Sequence, residues 1–367
     1  MVAAAAAPTS PRPAARSPRS SPRPSPPSGR RCASSSRGRP PAEPTVDDER
    51  TLTLAGIENA RERIRRQLPP TPLRRSFALR PHDVWLKLEC WQPTGSFKVR
   101  GALHHLVSLA ETERRRGVVA ASAGNHALGV AWAVQTLGGS VPAVLFVPET
   151  VPRAKLEKLR SFPVTVRVTG ATYDDAYDAS LAYAEAAGAR YIHPYDDPLT
   201  AAGQGTVGLE ILEQLPDVGQ VVVPVGGGGL MAATAVAVKA KAPGVRIVAV
   251  QPAASPSLSE SLARGEALHL FPAAPTLADG VAGGIGDLVF RHRALIDEVV
   301  NVPESAIEET IVALLAEDQV VAEGAGALAA AALRCGLIAP DGRPVAVVVS
   351  GGNIDARHLA RLLAARG

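Results

Sequence analysis

Gln220-Val221-Val222-Val223-Pro224-Val225, then Gly226-Gly227-Gly228-Gly229, then Leu230–Lys241, then Arg246-Ile247-Val248-Ala249-Val250-Gln251 decide the fold class. The outer runs are short and β-branched, and the segment between them has helical length. Strand, turn, helix and strand in that order form the crossover unit of a parallel sheet. The same rhythm recurs along the chain. Further strands are expected at Val84–Glu89, Val118–Ser122, Val144–Pro148, Thr165–Thr169 and Val345–Ser350. Helices are expected at Asn125–Leu137, Arg153–Arg160, Tyr173–Ala187 and Glu304–Glu317. The chain is therefore α/β, with parallel sheets flanked by helices, and its chemistry is expected in the strand-to-helix loops, where such sheets bind ligands.

Composition narrows the function classes. The 367 residues are 46% hydrophobic and 20% charged, enough for a substantial core. Even the apolar stretch Met231–Val250 carries Lys239, Lys241 and Arg246, so no membrane span is expected. The net charge of +4 points to nucleic acid only until it is located: residues 1–42 hold eight arginines and no acid, leaving −4 for the rest. With ten prolines among those 42 residues and few large apolar side chains, residues 1–45 read as a disordered basic tail. A transit peptide or an over-extended start would have the same composition. Aromatics make up only 4%, and no nucleic-acid partner is expected. Cys32, Cys90 and Cys335 form no zinc spacing, and Cys90 reads as a buried, inert thiol.

Four loops carry candidate chemistry. In Gln92-Pro93-Thr94-Gly95-Ser96-Phe97-Lys98-Val99-Arg100, a turn delivers Lys98 to a helix start, where a cation is disfavoured. A lysine condensed with an aldehyde would remove that conflict; a solvated lysine in a turn is the alternative. Ser122-Ala123-Gly124-Asn125-His126 follows a strand and offers N–H groups and polar side chains to an anion such as a carboxylate, although a plain helix cap explains the same residues. Gly226, Gly227, Gly228 and Gly229 let the backbone wrap a phosphate at a helix start. Ser350-Gly351-Gly352-Asn353 presents a hydroxyl at a strand end, able to meet a ring nitrogen or to serve as an ordinary cap. Gly203-Gln204-Gly205-Thr206-Val207-Gly208 matches a dinucleotide fingerprint letter for letter. It follows the expected loop Tyr195–Ala202 instead of a strand and lacks the acidic ribose partner, so that reading is set aside.

In this order the four loops resemble the threonine dehydratase and serine racemase branch of the fold-type II, tryptophan synthase β-like, pyridoxal-phosphate enzymes. The resemblance runs from about Thr51 to near the C-terminus. It includes His193-Pro194-Tyr195-Asp196-Asp197-Pro198, Ala278-Asp279-Gly280-Val281 and Glu323-Gly324-Ala325-Gly326-Ala327. It implies two open, mostly parallel sheets with the cofactor in the cleft between lobes: residues 46–110 and 196–367 as the large lobe, 111–195 as the small one. Lys98 would hold pyridoxal 5'-phosphate as a Schiff base, Phe97 would pack beside its ring, and Asn125 would bond the ring's 3-oxygen. Gly226 to Gly229 would cradle the phosphate and Ser350 would face the pyridine nitrogen. Ser122, Asn125 and His126 would receive the carboxylate of a small hydroxy amino acid. The implied reaction is threonine or serine dehydration by a cytoplasmic homo-oligomer, with organellar import through residues 1–45 as the alternative location. A racemase, another β-eliminating or β-replacing enzyme, and a cofactor carrier without turnover are the rivals.

Three differences from relatives matter. Gln251 and Ser257 stand where cation-binding relatives have carboxylates, so no divalent metal is expected, and a monovalent ion near Gln251 and Ser255 stays open. Ala123 stands where similar racemases place the serine that serves the second face of the substrate. The sequence runs only a short way past Ser350, so the C-terminal regulatory domain of the isoleucine-inhibited relatives is not expected.

Overall fold

The structure, a computed structural model, describes residues 51–365; the expected tail at 1–45 lies outside them. The chain opens with α1 (Leu54–Ile64), β1 (Leu73–Arg75), β2 (Val84–Leu88), α2 (Lys98–Ser108) and α3 (Glu111–Arg116). Next come β3 (Val118–Ala121), α4 (Asn125–Thr136), β4 (Ala143–Val147), α5 (Arg153–Arg160), β5 (Thr165–Val168), α6 (Tyr173–Ala187) and β6 (Arg190–Tyr191). After them run α7 (Pro198–Gln214), β7 (Gln220–Pro224), α8 (Gly229–Lys241), β8 (Arg246–Pro252), α9 (Ser257–Arg264) and α10 (Asp287–Arg291). β9 (Glu298–Val302), α11 (Glu304–Asp318), α12 (Gly324–Arg334), β10 (Val345–Val349) and α13 (Ala356–Ala364) complete the order.

Two sheets result, a six-stranded one in the order β1-β2-β10-β7-β8-β9 and a four-stranded one in the order β5-β4-β3-β6. Every pairing is parallel except β1 with β2. Parallel strands need cover on both faces, and the alternation of side chains provides it. Val221, Val223, Ile247, Ala249 and Val348 pack into the layer of α1, α7 and α8. Val222, Val248, Val250, Val347 and Val349 pack toward α11 and α12. In the smaller sheet, Val118, Ala120 and Leu145 share a core with α2 and α4, while Val119, Ala121 and Phe146 face α6.

Register gathers the loops. Val345 sits beside both Val84 and Gln220, so β2, β10 and β7 finish level with one another. The turn leading to Lys98, the Ser350 loop and the four glycines therefore leave one edge of the large sheet. Phe97 N–H donates to Ser350 O (3.1 Å) and Gly352 N–H to Gly95 O (2.9 Å), which ties two of these loops together.

Several strand ends differ by a residue from expectation, and β1, β6 and β9 are strands that the sequence pattern does not announce. The loop expected at Tyr195–Ala202 is corrected: Pro198 opens α7, and Asp197 caps it by accepting from Thr200 N–H at 2.8 Å. The Gly203, Gly205 and Gly208 motif thus lies inside a helix. A Cβ on Gly203 would fall 2.6 Å from Gly101 Cα, and one on Gly205 2.8 Å from Ile57 Cδ1. These glycines let α7 approach α2 and α1 closely, with no phosphate in view.

Four charged side chains are buried behind the Lys98 turn. Lys87 points from β2 to Glu210 on α7 (2.5 Å), because the face it occupies is covered. Arg100 makes a bidentate pair with Glu89 (2.7 and 2.8 Å) and reaches Glu210 from the other side. Two cations and two anions share one fully enclosed network, so removing any member would leave it with an uncompensated net charge. Glu89 directly follows β2 and Arg100 lies in the first turn of α2, so their pair closes the base of the loop that presents Lys98.

Candidate active site

A cavity of about 850 Å³ opens at the common edge of the loops and is lined by Phe97, Lys98, Ser122, Asn125, His126, Gly226 to Gly229 and Ser350. Every candidate residue read from the sequence is in its wall. The structure adds Tyr195, Asp279 and Glu323 to them.

Lys98 is the first residue of α2, and its amine is inside the protein, donating to Pro194 O at 2.8 Å. It is not a solvated turn lysine. Burial lowers its pKa to about 8, against the opposing pull of the Glu323 carboxylate. The sequence attributes such a lowering to the helix terminus; in the structure desolvation is the principal cause. The Phe97 ring lies 5.2 Å from Nζ.

The glycine loop is shaped by what presses on it. A Cβ on Gly226 would be 2.8 Å from Val281 Cα, on Gly227 2.3 Å from the Tyr195 ring, on Gly228 2.3 Å from Val289, and on Gly229 2.5 Å from Tyr195 O. Gly228 also takes φ +93°, a region L side chains rarely enter. The loop ends on the first turn of α8, whose unpaired N–H groups and dipole favour an anion.

Across the cavity, Gly124 occupies the cap position of α4 with no side-chain capping bond, so the sequence alternative of a plain cap by Ser122 or Asn125 does not hold. Ser122 Oγ accepts from Gly124 N–H (3.1 Å). His126 Nε2 is paired with Ile192 O (2.8 Å), which makes Nε2 the protonated nitrogen and leaves Nδ1 bare and buried. Burial, with Lys98 nearby, lowers the ring to about 3, so it is neutral at ordinary pH. The imidazole has no spare donor for a carboxylate; the main-chain N–H of His126, in the unpaired first turn of α4, is the donor that remains.

Ser350 Oγ donates to Ala325 O over a long 3.3 Å and does not cap α13, which Asp355 caps instead. Glu323 is a residue to which sequence reasoning assigns no role, although its Glu-Gly-Ala-Gly-Ala segment belongs to the resemblance. Burial raises its carboxyl to about 7, while the Asn125 amide, donating to it at 2.7 Å, pulls the other way. Burial also pushes the Cys90 thiol up to about 12, in keeping with an inert core position.

A buried amine of lowered pKa, a four-glycine anion cradle and a hydroxyl on a weak bond fit an aldehyde cofactor with a phosphate and a ring nitrogen. The family described as pyridoxal-phosphate dependent enzyme matches residues 64–351. The chain belongs to this family. Pyridoxal phosphate is accordingly its cofactor and the chain an enzyme. Among similar proteins of this pyridoxal-phosphate family is the L-threonine ammonia-lyase of Thermotoga maritima, 45% identical over 317 residues, 85% of this chain and 78% of that protein. The L-threonine dehydratase catabolic TdcB of Escherichia coli K12 is 39% identical over 318 residues, 85% of this chain and 96% of that one. Maize serine racemase superimposes with a TM-score of 0.80 at 32% identity, covering 86% of this chain and 97% of that chain. The processed form of threonine deaminase isoform 2 from Solanum lycopersicum gives 0.78 at 33% identity, covering 85% and 94%.

Gln251, Ser255 and Ser257, the positions that the sequence comparison with cation-binding relatives singles out, are engaged in hydrogen bonds within the protein. Gln251 Oε1 accepts from Leu258 N–H (2.8 Å) and Ser259 N–H (3.3 Å), and Nε2 donates to Ser257 Oγ (3.2 Å). Ser255 Oγ accepts from Gly283 N–H at 3.0 Å. Among the described residues no cluster of three or more His, Cys, Asp or Glu is arranged to hold a metal, and no helix is long and apolar enough to cross a membrane.

Proposed function

We propose that this pyridoxal-phosphate enzyme is a threonine and serine ammonia-lyase, converting L-threonine to 2-oxobutanoate and ammonia. The observation that carries the reading is the buried Lys98 amine, held at Pro194 O and facing the glycine cradle in one cavity. The names of the threonine ammonia-lyase, dehydratase and deaminase relatives support the substrate.

When bound, pyridoxal phosphate supplies an aldehyde that condenses with amines and a conjugated ring that accepts the electron pair left at the substrate's α-carbon. The remaining work falls to this chain. Gly226 to Gly229 and the first turn of α8 hold the phosphate. Asn125 would bond the ring's 3-oxygen, Phe97 would pack beside the ring, and Ser350, held only by the weak Ala325 bond, would serve the pyridine nitrogen. Because Ser350 is neutral, it does not stabilise a protonated ring. Ser122 and the main-chain N–H groups of Asn125 and His126 would receive the substrate carboxylate. Lys98 would hold the cofactor and, as a free amine, would take the α-proton; a pKa of about 8 suits an amine that must be free of its own proton.

A racemase would need a second acid on the face opposite Lys98. Maize serine racemase is similar in fold, which favours that reading. The resemblance puts such an acid at the position of Ala123, between Ser122 and Gly124, and a methyl group cannot exchange a proton.

The reading includes a small lobe at 111–195, a large lobe at 46–110 and 196–367, and a cytoplasmic homo-oligomer without nucleic-acid partners. Purified enzyme supplied with threonine, serine and larger hydroxy amino acids, with 2-oxo acid and ammonia measured, tests it. Stoichiometric release of both from threonine is expected. A protein that binds the cofactor and releases neither product from any of them would overturn the reading.

A further inference from the structure

Asn353 lies outside the cavity, yet its side-chain amide meets two segments that lead into its wall and α5 beside them. Nδ2 donates to Thr94 O (2.8 Å) in the turn before Lys98 and to Asn125 Oδ1 (2.7 Å) at the start of α4, while Oδ1 accepts from Lys158 on α5 (3.2 Å). Gly95 makes room for it: at φ +77°, a Cβ there would lie 2.9 Å from Asn353 Oδ1.

The chain of bonds has one direction. A backbone carbonyl can only accept, so Thr94 O fixes the amino end of Asn353 toward itself. That same amino group then supplies the hydrogen for Asn125 Oδ1. With its oxygen so occupied, Asn125 turns its own amino group to Glu323 Oε1 (2.7 Å) and keeps its second N–H for the cavity. If Asn353 were apolar, Asn125 Oδ1 would lose its donor, and the orientation of the amide toward the cavity would be left to the Glu323 contact alone.

We propose that Asn353 is a positioning residue for cofactor binding, acting through Asn125 by fixing which end of that amide faces the cavity. The inference rests on the reading that Asn125 meets the ring oxygen of pyridoxal phosphate. It assigns Asn353 no contact with substrate or cofactor.

The test is a double-mutant cycle read in cofactor affinity. Apoprotein of wild type, Asn353→Leu, Asn125→Ala and the double variant is titrated with pyridoxal phosphate, followed by visible absorbance, with near-ultraviolet circular dichroism as the check on folding. Asn353→Leu should weaken binding about tenfold in the wild-type background, within the range for residues sharing one network, and less than about twofold once Asn125 is alanine. Asn353→Ala, run in the same cycle, replaces the leucine variant if that one does not fold. Equal losses in both backgrounds would overturn the proposal, because they would mean that Asn353 supports the loops and does not act through Asn125. Unchanged affinity in both Asn353 variants would overturn it as well. A wild type that binds cofactor without producing a 2-oxo acid would instead refute the substrate reading and leave the coupling standing.

Discussion

Replacing Gly227 with alanine should weaken pyridoxal phosphate binding while the protein stays folded. The new methyl would lie 2.3 Å from Cγ and Cδ2 of Tyr195 and 2.4 Å from Cδ1, against a comfortable carbon–carbon separation of about 3.5–4.0 Å. The ring would have to retreat by more than about 1 Å. It is not free to do so, because the His193 ring packs edge-on at 4.7 Å and Tyr195 O lies under Gly229. Overpacking of this kind costs about 1–3 kcal/mol. At about 1.4 kcal/mol per tenfold, the dissociation constant should rise roughly 5- to 150-fold if the cost falls on the bound form. Removing the obstruction with Tyr195→Ala in the same chain should recover most of the loss. Gly228→Ala should not be recovered that way, since its φ of +93° is strained for any L side chain and its neighbour is Val289. Cofactor titration of apoprotein measures all three. A Gly227→Ala protein with a lower melting temperature and unchanged affinity would refute the reasoning, for it would place the cost in folding and leave the cradle uninvolved.

Lys98→Ala should abolish the visible absorbance of bound cofactor and lower threonine turnover by at least about 10²-fold, the usual loss when an acid–base group is removed; a coloured, active variant would contradict the assignment. The rate at which apoprotein captures pyridoxal phosphate should rise with pH, since the neutral amine is the reacting form. With a Lys98 pKa of about 8, the neutral fraction grows about tenfold from pH 7 to 9 and then levels off; a rise that continues past pH 10 would show an ordinary exposed lysine. Ala123→Ser should introduce D-serine formation from L-serine, resolved by chiral chromatography, at a rate at least about tenfold above the parent; no gain would mean that this position does not face the substrate.

The parts of the site legible in the sequence are those fixed by local chemistry. Gly226 to Gly229 between a β-branched run and a helix admit few uses, and Lys98 at a helix start is anomalous within its own segment. The parts that stay hidden depend on partners far along the chain. Lys87, in Val-Trp-Leu-Lys-Leu, has the composition of a strand with one solvated position, but α7 covers that face and Glu210 meets the amine from 123 residues away. Nothing within either segment signals the other. Glu323 is the same case at the site itself: the residues around it are small, its partner Asn125 is 198 residues distant, and only the burial produced by folding raises its carboxyl to about 7. The glycines of α7 mislead for the converse reason. Gly203-x-Gly205-x-x-Gly208 satisfies a local pattern, and the close approach it permits is to the α2 backbone and Ile57 instead of to a nucleotide. A glycine reports that something comes near the backbone; the fold determines whether that is a phosphate or another helix. In this chain Gly227 and Gly203 have the same steric requirement, and what separates their functions is that register places only Gly227 at the sheet edge where β2, β10 and β7 finish together.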